Sequence, residues 1–419
     1  MRYLVIVPAP ARRTSSQAFA CESAFAQHLR ELKQELGSRF DELVVACPWM
    51  DDSLWEKLKG ELTMIDETVE SIRFAPMERF NCDKSDFARS LPALLPRMAQ
   101  LVKESDLVHS YFSYDLFRPV GALFCTLAVA MKKPVLAVDD IDRRRDAEMF
   151  YRTGRWSKRK YLTCKYVYDP MRDWLARAYV KHVDLMLFKE LQQVEDYGKG
   201  ADHVRLFLDP NFAEEHVVDG AVIQRKIAAL SDDARPLRVL YFGRFVPYKG
   251  VDRMLDAVAL ARSRGANLTF DIMGSGEQHA ALQAQVERLG LGNHVTFIPP
   301  REYGAAFFDV LRERDLLLAC PLAGDTPRST WDALASGLPT LAFDTPFYKS
   351  MAAISKATIV TPWPDVEAFA AELLSLASNK RRLIPMVESA VETARQNSGA
   401  TWLKRRVAWM DTLLSGATV

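Results

Sequence analysis

The chain predicts an α/β protein built from two doubly wound, parallel-sheet (Rossmann-like) domains that face a common cleft. Three observations carry that expectation. Short apolar runs alternate with amphipathic helical stretches, the pattern of parallel strands joined by crossover helices. The alternation weakens between about His203 and Pro236 and resumes cleanly at Leu237, as it would across a linker. At 419 residues the chain is also too long for one hydrophobic core.

In the first half, Tyr3 to Val7 is an aliphatic run fit for a buried parallel strand. Pro8 to Ser16 reads as a loop whose Arg12 and Arg13 are solvated or face an anionic ligand. Phe25, Leu29, Leu32 and Leu36 then recur at helical spacing, with Gly37 as the stop. Leu43–Ala46, Leu107–Ser110, Val135–Val138 and Asp184–Phe188 are the further strands. Ser90–Val102 and Pro119–Ala130 are helices, the second with proline in its first turn, where a missing N–H costs little. From Leu237 the expected strands are 237–243, 268–272, 294–298, 315–319, 339–343 and 357–360. The helices between and after them are 251–264, 277–289, 302–313, 329–336 and 365–377, and a final amphipathic stretch runs from Trp402 to Leu414. The boundaries are 1–205, a linker at 206–236, 237–398 and a closing helix at 399–419. In such folds ligands bind beyond the carboxyl ends of the strands.

Composition narrows the function. Lysine plus arginine is 55 against 54 acidic residues, a net charge of +1, so no global charge argues for nucleic acid. Met1 to Val7 resembles a first strand more than a signal peptide, and no apolar stretch approaches the roughly 20 residues of a spanning helix. Cys21, Cys47, Cys82, Cys125, Cys164 and Cys320 show no zinc-ligand spacing, so the expectation is reduced thiols in a cytoplasmic protein and no metal site.

One segment stands apart. Between Asp142 and Lys165, Arg143, Arg144, Arg145, Arg152, Arg155, Lys158, Arg159, Lys160 and Lys165 are interleaved with Phe150, Tyr151, Trp156 and Tyr161. The plain reading is a solvated helical insertion. The sharper one is a surface meeting anionic lipid, which would place the protein at the inner face of the membrane, or a phosphorylated acceptor.

The chemistry concentrates after Leu237. The strand Val239–Phe242 ends at Gly243, and a short loop carrying Arg244 and Lys249 leads past Gly250 into a helix. A strand that turns into a helix through glycine leaves backbone N–H groups facing whatever lies above it. Arginine adds a bidentate phosphate ligand and lysine a mobile point charge. The loop has neither the three-glycine dinucleotide spacing nor the lysine–serine/threonine of a P-loop. Three more stretches follow in order: Ile272-Met273-Gly274-Ser275-Gly276-Glu277, then Phe297-Ile298-Pro299-Pro300, then Gly324 to Pro339.

These four stretches, in this order, resemble the second domain of GT-B retaining glycosyltransferases, in particular glycosyltransferase family 4. The resemblance is dense from Leu237 to Leu414 and loose before. It implies GT-B architecture, a nucleotide diphosphate sugar as donor, a glycan or lipid-linked acceptor, and retaining chemistry without a metal or other cofactor. Residue by residue, it implies that Gly243, Arg244 and Lys249 hold the diphosphate and that Gly274 and Gly276 lie near the nucleotide. Ile298 would approach the base with backbone groups, and Asp332 the ribose. The acid expected eight places before Asp332 falls on Gly324, so Asp325, or the backbone from Thr326 through Ser329 to Thr330, is left to meet the sugar. In the first domain the resemblance puts histidines at two strand ends. Here His109 stands at one and Asp139 or Asp140 at the other, with Asp140 able to steady positive charge at the anomeric carbon. The closing helix is expected to pack back on the first domain. The missing acid at Gly324 and the Asp139-Asp140 pair keep a second reading open, a catalytically impaired GT-B partner or regulatory protein.

Overall fold

The computed structural model describes residues 1–112 and 115–415, so the last four residues of the closing segment lie outside the described residues. The strands of the first half are β1 (Arg2–Ile6), β2 (Ala11–Ser15), β3 (Ala18–Glu22), β4 (Glu42–Trp49), β5 (Leu62–Asp66), β6 (Ile72–Arg79), β7 (Leu107–Tyr111), β8 (Val135–Asp139), β9 (Leu185–Phe188) and β10 (Val204–Leu206). They form one sheet in the order β10-β9-β8-β7-β1-β4-β2-β3-β5, with β6 also on β4. The central strands are parallel and buried on both faces, which is why they are continuous aliphatic runs.

The segment 8–16, expected to be a loop, departs from that expectation. β2 and β3 make an antiparallel hairpin, and β3 pairs with β5. Arg12 reaches Asp52 (2.6 Å) and Arg13 reaches Glu67 (2.9 Å), so both cations have carboxylate partners. Only Ala11 of the strand is buried and the residues after it are polar, which masks it in the sequence.

The second half contains β11 (Leu237–Phe242), β12 (Leu268–Met273), β13 (Val295–Ile298), β14 (Leu316–Ala319), β15 (Thr340–Phe343) and β16 (Thr358–Thr361). Their order is β13-β12-β11-β14-β15-β16, all parallel. In the stretch expected to hold a linker and helix, Gly220–Ser231 is a helix on this second domain. Its Leu230 joins the second core and its Lys226 Nζ donates to the Arg314 carbonyl. The last helix, Gly399–Leu414, returns to the first domain. Tyr3 Oη lies 3.8 Å from Met410 Sδ, Arg39 pairs with Asp411 (3.1 Å), and the Trp402 ring packs edge-on to Phe207. All six cysteines are buried free thiols. Among the described residues no helix is long and apolar enough to cross a membrane.

Candidate functional site

A cavity of about 290 Å³ opens where β11 and β14 end. Gly243, Arg244, Lys249, Asp325, Ser329 and Asp332 all line it, which brings together residues from both ends of the second domain's motif series. The backbone dictates this convergence. Gly250 has φ +66°, and a Cβ there would lie 1.9 Å from the Cys320 carbonyl oxygen, so only glycine lets the loop press against the end of β14. That contact carries Lys249 to the cavity wall, where its ammonium pairs with Asp325 and both side chains are largely buried. A lysine has three donors, so it can hold Asp325 and an anion together. Arg244 is exposed at the rim and is steadied by the Tyr248 hydroxyl (2.8 Å).

Gly274 and Gly276 support the loop from behind. A Cβ at Gly274 would lie 2.0 Å from the Gly243 carbonyl oxygen, and Phe245 N–H donates to the Ser275 carbonyl (2.8 Å). Neither glycine lines the cavity itself. The Ile298 carbonyl accepts from Gly274 N–H (3.1 Å), so this backbone group is engaged in holding the turn. Asp332 sits in the first turn of the helix Ser329–Ala335, almost fully buried, and accepts a hydrogen bond from Tyr303 Oη (2.8 Å). Burial pushes its carboxyl up to about 7, against the opposing pull of the Tyr303 hydrogen bond and the Arg328 charge. Thr330 is buried against the Tyr348 hydroxyl (3.1 Å), and its amide is given to the Pro327 carbonyl (3.3 Å). Thr326 is half-buried.

Gly324, at the position where the resemblance expects an acid, is pressed against the other domain. Its N–H donates to Asp146 Oδ1 (2.8 Å), and a Cβ there would lie 2.7 Å from the same oxygen. The carboxylate next to this position therefore comes from Asp146, and burial raises that carboxyl above its ordinary value.

In the first domain the two strand ends differ. His109 Nδ1 shares a hydrogen bond with Tyr3 Oη (2.8 Å) in the buried layer beneath the closing helix and does not line the cavity. Burial, and then the Arg406 charge, hold its imidazole well below the ordinary range and so neutral. Asp139 is buried and accepts from Gln193 Nε2 (2.8 Å). Asp140 is the exposed member of the pair and lines a second cavity of about 1010 Å³ that opens on the ends of β7 and β8.

An ion chain links the two cavities. Lys189 Nζ lies 2.7 Å from Asp140 and 3.1 Å from Asp209, and Arg328, on the smaller cavity, lies 3.0 Å from Asp209. Burial alone would raise the Asp209 carboxyl, but Lys189 and Arg328 outweigh it and hold it far below the carboxylate range. Tyr303, Lys189, Asp209 and Arg328 were not singled out in the sequence. Arg328 had a signal, since it sits inside the last motif; the others come from stretches with none.

Comparison with known proteins bears on the second domain and on the fold. Residues 222–397 match the family described as glycosyl transferases group 1. The amylovoran biosynthesis glycosyltransferase AmsK of Erwinia amylovora is 26% identical over 164 residues, covering 37% of this chain. The GtfA subunit of the UDP-N-acetylglucosamine–peptide N-acetylglucosaminyltransferase of Streptococcus parasanguinis is 20% identical over 166 residues, covering 38%. These matches span 40% of AmsK and 32% of GtfA. The crystal structure of Anabaena Alr3699/HepE in complex with UDP superposes with a TM-score of 0.63 at 15% identity, covering 98% of this chain and 100% of that one. The fold is the GT-B arrangement of two Rossmann-like domains.

Proposed function

We propose that the chain is a retaining glycosyltransferase that moves a sugar from a nucleotide diphosphate sugar to a hydroxyl of a glycan or lipid-linked acceptor. The observation that carries this reading is the convergence of Arg244, Lys249, Asp325 and Asp332 on one cavity at the carboxyl ends of parallel strands. Arg244, Lys249 and Arg328 put positive charge around the place a diphosphate would occupy, so the leaving group is stabilised electrostatically and without a metal. Asp332, as a carboxylate, can accept from two ribose hydroxyls. In the transfer, the acceptor oxygen bonds to the anomeric carbon as the bond from that carbon to the phosphate oxygen breaks. The acceptor's proton passes to the departing phosphate on the same face, which retains configuration and needs no protein nucleophile. Ser329, on the cavity wall, is the polar side chain we assign to the sugar hydroxyls, with Asp140 of the first domain assigned to the anomeric charge.

UDP, seen with Anabaena HepE, is the first nucleotide to test. A thermal-shift panel of UDP-, GDP- and ADP-sugars should raise the melting temperature with at least one member, because a ligand of the native state stabilises it. The second reading, an impaired partner protein, rests on Gly324 and on the engagement of Lys249 by Asp325. A flat response to the whole panel would favour it.

A further inference from the structure

The larger cavity, about 1010 Å³, has two chemically different ends. At the inner end, where β7 and β8 finish, stand Tyr111, Asp139 and Asp140. At the outer end the basic-aromatic segment forms the wall, through Arg143, Trp156, Arg159 and Lys160. The segment is thus a structural side of a cavity and not a free insertion. Its helix Lys158–Thr163 passes through a π-helical turn, Cys164–Tyr168, into the helix Asp169–His182, and such turns concentrate at functional sites. The Lys160 ammonium rests 4.2 Å from the centre of the Trp156 ring. Among the described residues, no carboxylate is paired with Arg159 or Lys160, whereas Arg143 leans on Asp146 at 3.3 Å.

We propose that this cavity is the acceptor subsite and selects acceptors bearing a phosphate ester, gripped by Arg159, Lys160 and Arg143 at the outer end. The inference rests on the glycosyltransferase reading for the word acceptor; the anion site itself does not. Charge polarity sets the orientation. Asp139 and the Lys189-paired Asp140 put carboxylate oxygens at the inner end, which accept hydrogen bonds from hydroxyls and disfavour a phosphate there. The acceptor hydroxyl is therefore presented beside Asp140, the residue that the Lys189–Asp209–Arg328 chain ties to the donor cavity. The aromatic walls, Trp156, Phe112, Phe117 and Tyr168, suit either a sugar face or an apolar chain next to the phosphate.

The test is calorimetric titration of the full chain saturated with UDP, which occupies the donor cavity. The probes are farnesyl diphosphate, glucose 1-phosphate and farnesol. The comparison is between the natural protein and the Arg159→Ala/Lys160→Ala double variant. Both residues are exposed, and an unchanged UDP affinity certifies that the variant is folded. A phosphorylated probe should bind the natural protein, and the double variant should bind it about tenfold or more weakly, the scale of lost charged hydrogen bonds. Farnesol should be indifferent to the change. Preference for farnesyl diphosphate identifies a lipid carrier, and preference for glucose 1-phosphate a soluble sugar phosphate. The proposal is overturned if neither phosphorylated probe binds or if the double variant binds them equally. It is also overturned if the variant loses only its adhesion to phosphatidylglycerol vesicles, which would make the segment a membrane surface. Failure of UDP to bind at all would count against the glycosyltransferase reading separately.

Discussion

Asp332 is a carboxyl pushed up to about 7, because burial penalises its charge more than Tyr303 and Arg328 relieve it. Its folded value, about 7, lies above the ordinary 3.8, so the stability it contributes is complete below pH 4 and is lost as pH rises through 7. Nucleotide binding should run the other way, since ribose hydroxyls donate to the ionised form. We expect UDP affinity to rise between pH 6 and 8, by up to about tenfold per unit below 7. Asp332→Asn should weaken binding and flatten that profile; a profile unchanged in the variant would remove Asp332 from the ribose. At this scale the sequence was informative where a motif fixes both residue type and spacing, as with Lys249 and Asp332. It was silent on Tyr303, Lys189 and Asp209, because each acts on a side chain distant in sequence. His109 shows the opposite difficulty, since a strand-end histidine looks the same in sequence whether it meets a ligand or, as here, Tyr3.

The turn after β11 and the turn after β12 form one unit, because the second is folded against the carbonyls of the first. Gly274→Ala puts a methyl group into the Gly243 carbonyl at a backbone φ of +148° that side chains rarely adopt. The expected cost is about 1–3 kcal/mol by chemical denaturation, with a larger loss of UDP affinity than stability alone explains, because Arg244 moves with the loop. Denaturation unchanged from the natural protein would show that the turn can give way. The parallel strands and their helices were legible because burial on both faces demands uninterrupted apolar runs. The hairpin of β2 and β3 was not, since Arg12, Arg13 and Thr14 leave no apolar run to read and the partners of the two arginines, Asp52 and Glu67, lie in later segments.

Across the whole molecule the two domains meet through buried and half-buried charge. The depressed carboxyl of Asp209 contributes stability present above its unfolded value and lost as pH falls below it, whereas Lys189, raised by Asp140 and Asp209 despite its burial, contributes until pH climbs toward the lysine range. Lys189→Met and Arg328→Met share Asp209 as a partner, so their stability losses should be non-additive by about 0.5–3 kcal/mol in a double-mutant cycle. Strict additivity would mean the chain is not a unit. Two domains, the cleft and a terminal helix were legible from the alternation and its one interruption. Which residues cross the cleft was not, because that depends on how two separately patterned sheets are placed. The account turns on cations at the mouth of the second sheet gripping a diphosphate, and one comparison tests that most directly: calorimetric affinities of UDP and uridine for the natural protein and for Lys249→Ala. The account predicts that the variant loses about tenfold or more toward UDP and nothing toward uridine. Equal losses for both ligands, or no loss toward UDP, would contradict it.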